Sequence, residues 1–364
     1  MSSYNLAPIA AAEAAYFEVA FKEGNIIPGS GPNFVLEADE YDCCFLGLSP
    51  SVAVVTSVEW DHVDIFHDEE AVLDTFRKFL QKVKIGGHLI ICGDSAGAYS
   101  LVSKSIKERV SDCEMVLTSL ASKPGYSITT YGISSKNDWH ASSVTPNSHG
   151  GQDYVLYHNN CPIGNVSLVL PGVHNVLNSL AVIATVALLV SDQKKLNATI
   201  SSVAYHLSTF TGVSRRFELV GSLNKCHIYD DYAHHPTEVR AALQAARQLF
   251  PYQALWIVFQ PHTFSRLAAL MKDFATAFVD ADHLIITEVY ASREMNGCSC
   301  DGRELASSIR GPSCEYIPKM EDVIEKLVYE ISSDINQEIV VLTLGAGDIT
   351  TLGPELLKRL REKL

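Results

Sequence analysis

The run Asp230-Asp231-Tyr232-Ala233-His234-His235-Pro236-Thr237-Glu238 gathers carboxylates, a phenol and two imidazoles into one short stretch. Such groups take up, release or share protons near neutral pH and bind cations or polar substrates. Pro236 restrains the residue before it and suits the first turn of a helix. The run therefore reads as a strand end, a polar loop and a helix start. Surface loops seldom concentrate this chemistry, and a reactive site is the reading it favours.

Other clusters add to it. Glu37-Ala38-Asp39-Glu40-Tyr41-Asp42 places four carboxylates after an apolar stretch. Hard oxygen donors suit Mg²⁺ bridging nucleotide phosphates, although a solvated acidic turn has the same composition. Glu59-Trp60-Asp61-His62-Val63-Asp64 repeats the pattern after the next apolar strand, and together the two suggest one shared metal site. In Gly172-Val173-His174-Asn175-Val176-Leu177-Asn178, two amides three residues apart share a helix face. An amide pairs a donor with an acceptor, as an adenine edge requires; Asn175 alone reads equally well as an N-cap. Gln260-Pro261-His262-Thr263-Phe264-Ser265-Arg266 brings an imidazole and a guanidinium to a strand-to-helix junction, where Arg266 and helix-start amides could clamp an anion. Arg215-Arg216-Phe217-Glu218 falls where two domains should meet, and salt bridging between them would account for it. Gly345-Ala346-Gly347-Asp348 is a backbone-accessible turn of low specificity.

The elements that must position these groups follow from hydrophobic periodicity. Buried strands are predicted at Phe34–Glu37, Val52–Ser57, His88–Cys92, His227–Asp230, Ala254–Gln260, His283–Thr287 and Ile339–Leu344. Helices are predicted at Glu69–Val83, Asn175–Ser191, Thr237–Phe250 (with Thr237 as N-cap), Ser265–Val279 and Leu352–Leu364. Between Ser95 and Leu170 the pattern loosens into β-hairpin and loop material. Strands alternating with helices imply a parallel α/β architecture, with ligands at the carboxyl ends of the strands. The expected division is residues 1–213 and 214–364.

With 28 Lys plus Arg against 42 Asp plus Glu, the formal charge is −14, which disfavours nucleic acid and anionic membrane surfaces as partners. The odd set of nine cysteines has no CxxC pair, only a CxC at Cys298/Cys300, and reads as free thiols in a reducing compartment. No secretory or transit segment is evident in residues 1–15, and no apolar run reaches membrane-spanning length.

Taken in order, the clusters resemble the Mur ligases, and most of all their alanine-adding branch, over roughly residues 29–364. The Asp231–Pro236 run is the most specific piece. The resemblance implies an α/β fold: a central ATPase domain, incomplete at its N-terminus, followed by a Rossmann-like C-terminal domain. It implies that ATP phosphorylates the carboxylate of a UDP-N-acetylmuramate-like acid, and that the amine of an L-alanine-like amino acid displaces the phosphate. ATP and Mg²⁺ are the implied cofactors, and the cytoplasm the implied location (the plastid stroma in a photosynthetic eukaryote). Glu37 and His62 correspond to Mg²⁺ ligands, and Asn175 and Asn178 to adenine contacts. Arg216 and Asp231 correspond to contacts with ATP phosphate and ribose. Tyr232, His234, His262 and Arg266 correspond to positions near the sugar substrate and the incoming amino acid.

Three departures stand out. The sequence contains no G-x-x-x-x-G-K-[ST] phosphate loop. Nothing in residues 1–27 resembles the family's UDP-binding domain. Thr263 stands where the family usually carries Arg. Losing one charge-assisted donor at a transition state costs roughly 3 kcal/mol, and here several are missing. The expectation is a weak or inactive ligase when this chain acts alone, with a non-catalytic binding protein as the alternative. A folate-type polyglutamylating ligase is disfavoured by the Tyr232–Pro236 signature.

Overall fold

The computed structural model describes residues 31–103, 125–190, 193–294, 300–333 and 337–363. The chain divides into two compact units, residues 1–211 and 212–364. Residues 1–27, Cys113 and Cys298, on which some sequence expectations fell, lie outside the described residues. The described cysteines are all free. Among the described residues no helix is long and apolar enough to cross a membrane.

The first unit is built on a six-stranded sheet in the order β1-β2-β3-β4-β5-β6: Val52–Val55, His88–Cys92, Ser127–Gly132, Trp139–Pro146, Gln152–His158 and Cys161–Leu168. The first four strands pair in parallel, and β4 to β6 form an antiparallel meander, which is the hairpin material expected there. Successive residues of β2 face opposite sides of the sheet. Leu89 and Ile91 pack with Val72, Phe76 and Phe79 of helix α1 (Glu69–Leu80). Ile90 and Cys92 pack with Val176, Leu180 and Ile183 of α3 (Val173–Leu189), beside α4 (Leu196–Thr209); a short helix α2 spans Ala96–Ser100. The Asp68 side chain caps α1 by accepting from the Ala71 amide at 2.8 Å. Glu69 and Glu70 in its first turn and Arg77 and Lys78 in its last complement the helix dipole.

Phe34–Glu37 is not a buried strand. Residues 33–40 form no regular element and Phe34 is 87% exposed. The apolar run Phe34-Val35-Leu36 is only three residues long, with Pro32 before it and four carboxylates after it. It is too short to cover a sheet face, and among the described residues no strand pairs with it.

The second unit carries a six-stranded sheet in the order β11-β10-β9-β12-β8-β7, parallel except for the edge pair β7/β8. Its strands are β7 Glu218–Leu223, β8 Cys226–Asp231, β9 Ala254–Phe259, β10 His283–Ile286, β11 Ser313–Tyr316 and β12 Ile339–Leu344. Helices α5 (Pro236–Leu249), α6 (Phe264–Phe274), α7 (Gly302–Ser308), α8 (Met320–Ser333) and α9 (Leu352–Lys363) follow their strands in a Rossmann-like alternation. Val323, Ile324 and Leu327 of α8 pack with Leu356 and Leu360 of α9 and with the inner residues of β8, β9 and β12.

Candidate active site

In the second unit the carboxyl ends of β8, β9 and β12 converge. Asp230 and Asp231 close β8, and their side chains go different ways. Asp230 is buried; it accepts from the Thr343 hydroxyl at 2.6 Å, from Thr350 at 2.7 Å and from Arg215 Nε at 3.4 Å. Asp231 accepts from the backbone amides of Phe217 and Ala233, each at 2.8 Å. Burial pushes the Asp231 carboxyl up to about 6, against the pull of the Arg216 charge.

Arg215 carries no role in the sequence expectations, yet it ties the cluster together. Besides Asp230, its guanidinium donates to the carbonyl oxygens of Gly345 at 2.8 Å and Gly347 at 3.4 Å. The glycine turn after β12 therefore serves as an anchor. Gly345 has φ +147°, and a Cβ there would stand 2.8 Å from the Gln260 carbonyl oxygen. Arg215 and Arg216 both lie over the ring of Tyr232, at 4.7 and 5.2 Å from its centroid. Arg216 pairs with Glu238 at 3.6 Å. The partners named here lie within the second unit.

Thr237 is not the N-cap of α5. His235 is, with extended backbone torsions (φ −98°, ψ 146°), and Thr237 falls inside the first turn. Pro236 at the first helical position drives its predecessor extended, which moves the cap two residues upstream. The His235 ring accepts from the Thr237 amide at 3.3 Å, and Glu238 closes the box from within the helix. Glu238 is fully buried; one of its oxygens accepts from the amides of His234 and His235 at 3.0 and 3.1 Å and lies 3.4 Å from His234 Nδ1. Burial opposes its ionisation, but His234, Arg216 and the two amides outweigh burial and hold Glu238 below the usual carboxylate range.

His262 and Arg266 meet across one helical turn: the guanidinium is 2.9 Å from His262 Nδ1 and donates to its carbonyl oxygen at 3.3 Å. The His262 ring lies 5.9 Å from that of His234 and stacks on Tyr290 at 5.6 Å. Tyr290 also exchanges backbone hydrogen bonds with Pro261 and Thr263. The Thr263 side chain does not cap α6; instead Glu294 accepts from the Phe264 amide at 2.6 Å, the Ser265 amide at 3.2 Å and the Ser265 hydroxyl. Tyr232, His234, His262 and Arg266 thus belong to one neighbourhood, joined to Arg216 and Asp231 through Tyr232 and Glu238.

In the first unit, His62 Nε2 sits 3.1 Å from Glu40, which is buried, whereas Glu37 is exposed. His62 holds φ +50°, an uncommon conformation away from glycine, and its ring meets Tyr41 edge-on at 5.0 Å. The Tyr41 hydroxyl donates to Asp64 at 2.9 Å. Among the described residues no three His, Cys, Asp or Glu side chains converge as a ready-made metal cluster. The carboxylates are nevertheless donors of the type a hard divalent cation takes. Helix α3 starts at Val173 after Gly172 (φ +89°), so Asn175 is not its N-cap; the Asn175 amide donates to the Pro171 carbonyl at 2.7 Å. Asn178 is buried on the same helix.

Comparison with known proteins fixes the family. Residues 32–186 match the Mur ligase middle domain, and residues 215–347 match the glutamate ligase domain of Mur ligases. A UDP-N-acetylmuramate–L-alanine ligase of Frankia casuarinae is 38% identical over 94% of this chain. The chain belongs to the Mur ligase family. A second alanine ligase, from Acetivibrio thermocellus, is 36% identical over 92% of the chain. The chain spans 70% of the Frankia protein's length and 66% of the Acetivibrio protein's. The UDP-N-acetylmuramate–alanine ligase structure from Thermotoga maritima shares the Mur ligase fold, with TM-score 0.64 and 24% identity, covering 88% of this chain and 62% of that one. A more distant Mur ligase structure, MurF of Thermotoga maritima (15% identical, TM-score 0.58), was solved in complex with ADP and matches 86% of this chain and 62% of its own. The α/β architecture expected from the sequence is the Mur ligase one: two mostly parallel sheets in successive units.

Proposed function

We propose that this Mur ligase chain is an ATP-dependent carboxylate–amine ligase that joins a UDP-N-acetylmuramate-like acid to L-alanine in the making of peptidoglycan precursors. The observation that carries the reading is the cluster at the ends of β8, β9 and β12. It combines Arg216 beside Asp231 with Tyr232, His234, His262 and Arg266, in a chain 38% identical to an alanine ligase.

The proposed reaction has two steps. A substrate carboxylate oxygen attacks the γ-phosphorus of ATP, and the bond to ADP breaks. The amine of alanine then attacks the resulting acyl phosphate, forming the amide and releasing phosphate. Both steps develop negative charge on phosphate oxygens, which fixed cations stabilise. Arg216 and Asp231 are assigned to ATP phosphate and ribose. Asn175 and Asn178 are assigned to adenine. Tyr232, His234, His262 and Arg266 are assigned to the acid and the amino acid, with the buried Arg266 as the carboxylate anchor. Glu37 and His62 are assigned to Mg²⁺, which when bound would offset phosphate charge.

The test is ADP release by the purified chain with Mg²⁺-ATP, UDP-N-acetylmuramate and L-alanine. Slow release that requires both acid and amino acid is expected, because the sequence carries no phosphate loop. Release that is absent, or indifferent to alanine, overturns the proposal.

A further inference from the structure

The assignments above leave one chemical task without a group. An α-ammonium is largely protonated at neutral pH and has no lone pair, so it must lose a proton before it can attack an acyl phosphate. His234 is built for that task. Its Nδ1 lies 3.0 Å from the carbonyl oxygen of Tyr232. A carbonyl only accepts, so Nδ1 must be the donor there. Its second neighbour at Nδ1 is Glu238, at 3.4 Å, also an acceptor. Both contacts therefore select the Nδ1–H form, leaving the lone pair of the neutral ring on Nε2.

Glu238 is no ordinary cap residue. It is fully buried, is fixed by two backbone amides of the loop it supports, and turns its other oxygen towards Arg216. Two further titratable groups lie by the His234 ring: Tyr232, whose ring meets it edge-on at 5.4 Å, and His262 at 5.9 Å, itself held by Arg266.

We infer that His234 is the base that accepts the proton of the incoming amine through Nε2, and that Glu238 is the positioning residue that fixes its tautomer and steadies the resulting imidazolium. The inference rests on the ligase reading. In the step, one N–H bond of the ammonium breaks and one forms at Nε2. The amine keeps the electron pair, which then makes the amide bond as phosphate leaves. The positive charge passed to the ring faces the Glu238 carboxylate, so base and orienting carboxylate form a two-member relay of the kind used by hydrolases.

Two readouts test it. Imidazole ¹⁵N NMR of the unliganded chain, with the His234 signals assigned by their loss in His234→Gln, should show the Nδ1–H tautomer, and Glu238→Gln should raise the share of the Nε2–H form. The second readout compares L-alanine with hydroxylamine, which is already unprotonated at neutral pH and yields a hydroxamate. The ratio of alanine to hydroxylamine turnover should fall on the order of 10²-fold in His234→Gln, and in the same direction in Glu238→Gln. An Nε2–H tautomer in the unaltered chain, or equal losses with both nucleophiles, overturns the inference. If Glu238→Gln does not fold, His234→Gln decides alone, since it leaves Glu238 its amide donors. If the unaltered chain turns over neither nucleophile, the ligase reading fails, and the tautomer measurement still decides the arrangement at His234.

Discussion

At the scale of single residues, Arg215 has the most to lose. One guanidinium serves the buried Asp230, two carbonyls of the glycine turn and the Tyr232 ring. Removing it leaves a buried carboxylate supported, among the described residues, by two threonine hydroxyls. Arg215→Ala should cost about 2–4 kcal/mol in urea unfolding. Arg215→Lys should recover little of it, because one ammonium cannot satisfy a planar, several-pronged site. Asp231 predicts a pH effect of definite sign. Its folded pKa, about 6, lies above its unfolded value of 3.8, so the folded form binds the extra proton between them. Stability from this group is highest at low pH and declines as pH rises through about 6. Relative to Asp231→Asn, which does not titrate, the native chain should lose about 1.4 kcal/mol between about pH 5 and about pH 7.5. A flat difference across that range would show that the carboxyl ionises normally.

At the scale of elements, α6 is held from outside. Its entry residue Thr263 has φ +64° and makes no side-chain cap, and Glu294, thirty residues beyond Phe264, takes the first amides instead. Glu294→Ala should cost about 1 kcal/mol, in the range of a lost cap. It should also speed hydrogen exchange at Phe264 and Ser265 well before it affects the centre of α6. Unchanged exchange there would mean that the helix start holds itself. This element also shows what the sequence makes legible. His262 and Arg266 are four apart at a strand end, a local pattern, and the structure brings them together. Glu294 and Tyr290 come to the same place by a fold-back that no local spacing encodes. Glu238 was visible as part of a run, but its complete burial appears only in the fold. Glu40 was hidden by its neighbours: four carboxylates in six residues are equivalent on paper, and only the fold buries one against His62. The cap of α5 moved for the opposite reason, since Pro236 is a purely local signal that outranked the threonine after it.

At the scale of the whole molecule, six of the twelve described strands (β1, β2, β8, β9, β10 and β12) followed from hydrophobic runs, because a parallel strand buried on both faces is apolar along its length. The residues of β3 to β6 read only as hairpin and loop material, and the half-exposed edge strands β7 and β11 gave no such run. Phe34–Glu37, predicted but not formed, lacks the length that makes such a run persuasive. The net charge of −14 sets a further expectation. The chain should be retained on an anion exchanger and should not shift a DNA duplex at moderate salt; a salt-sensitive shift would reveal a basic face that the composition does not announce. The missing phosphate loop belongs to this scale too. Mg²⁺-ATP affinity by calorimetry should fall at least about 10²-fold below that of a Mur ligase carrying the loop, the loss expected from one charge-assisted donor of roughly 3 kcal/mol. Equal affinity would mean that the remaining contacts suffice.

The position of β12 has a consequence for how the protein is made. It is the last of the described strands, yet it lies between β9 and β8, in the middle of the second sheet. A ribosome therefore releases β7 and β8, then β9 to β11, as two ribbons with no ladder between them, and only residues 339–344 can join the halves. Through most of its synthesis this half of the protein is a clasp without its pin, with the apolar edges of β8 and β9 open to other chains. A stop codon placed before Ile339 should yield insoluble protein, whereas one placed after Lys363 should not. The cluster around Arg215, which takes its anchor from the turn just past β12, is assembled only after that strand has been made.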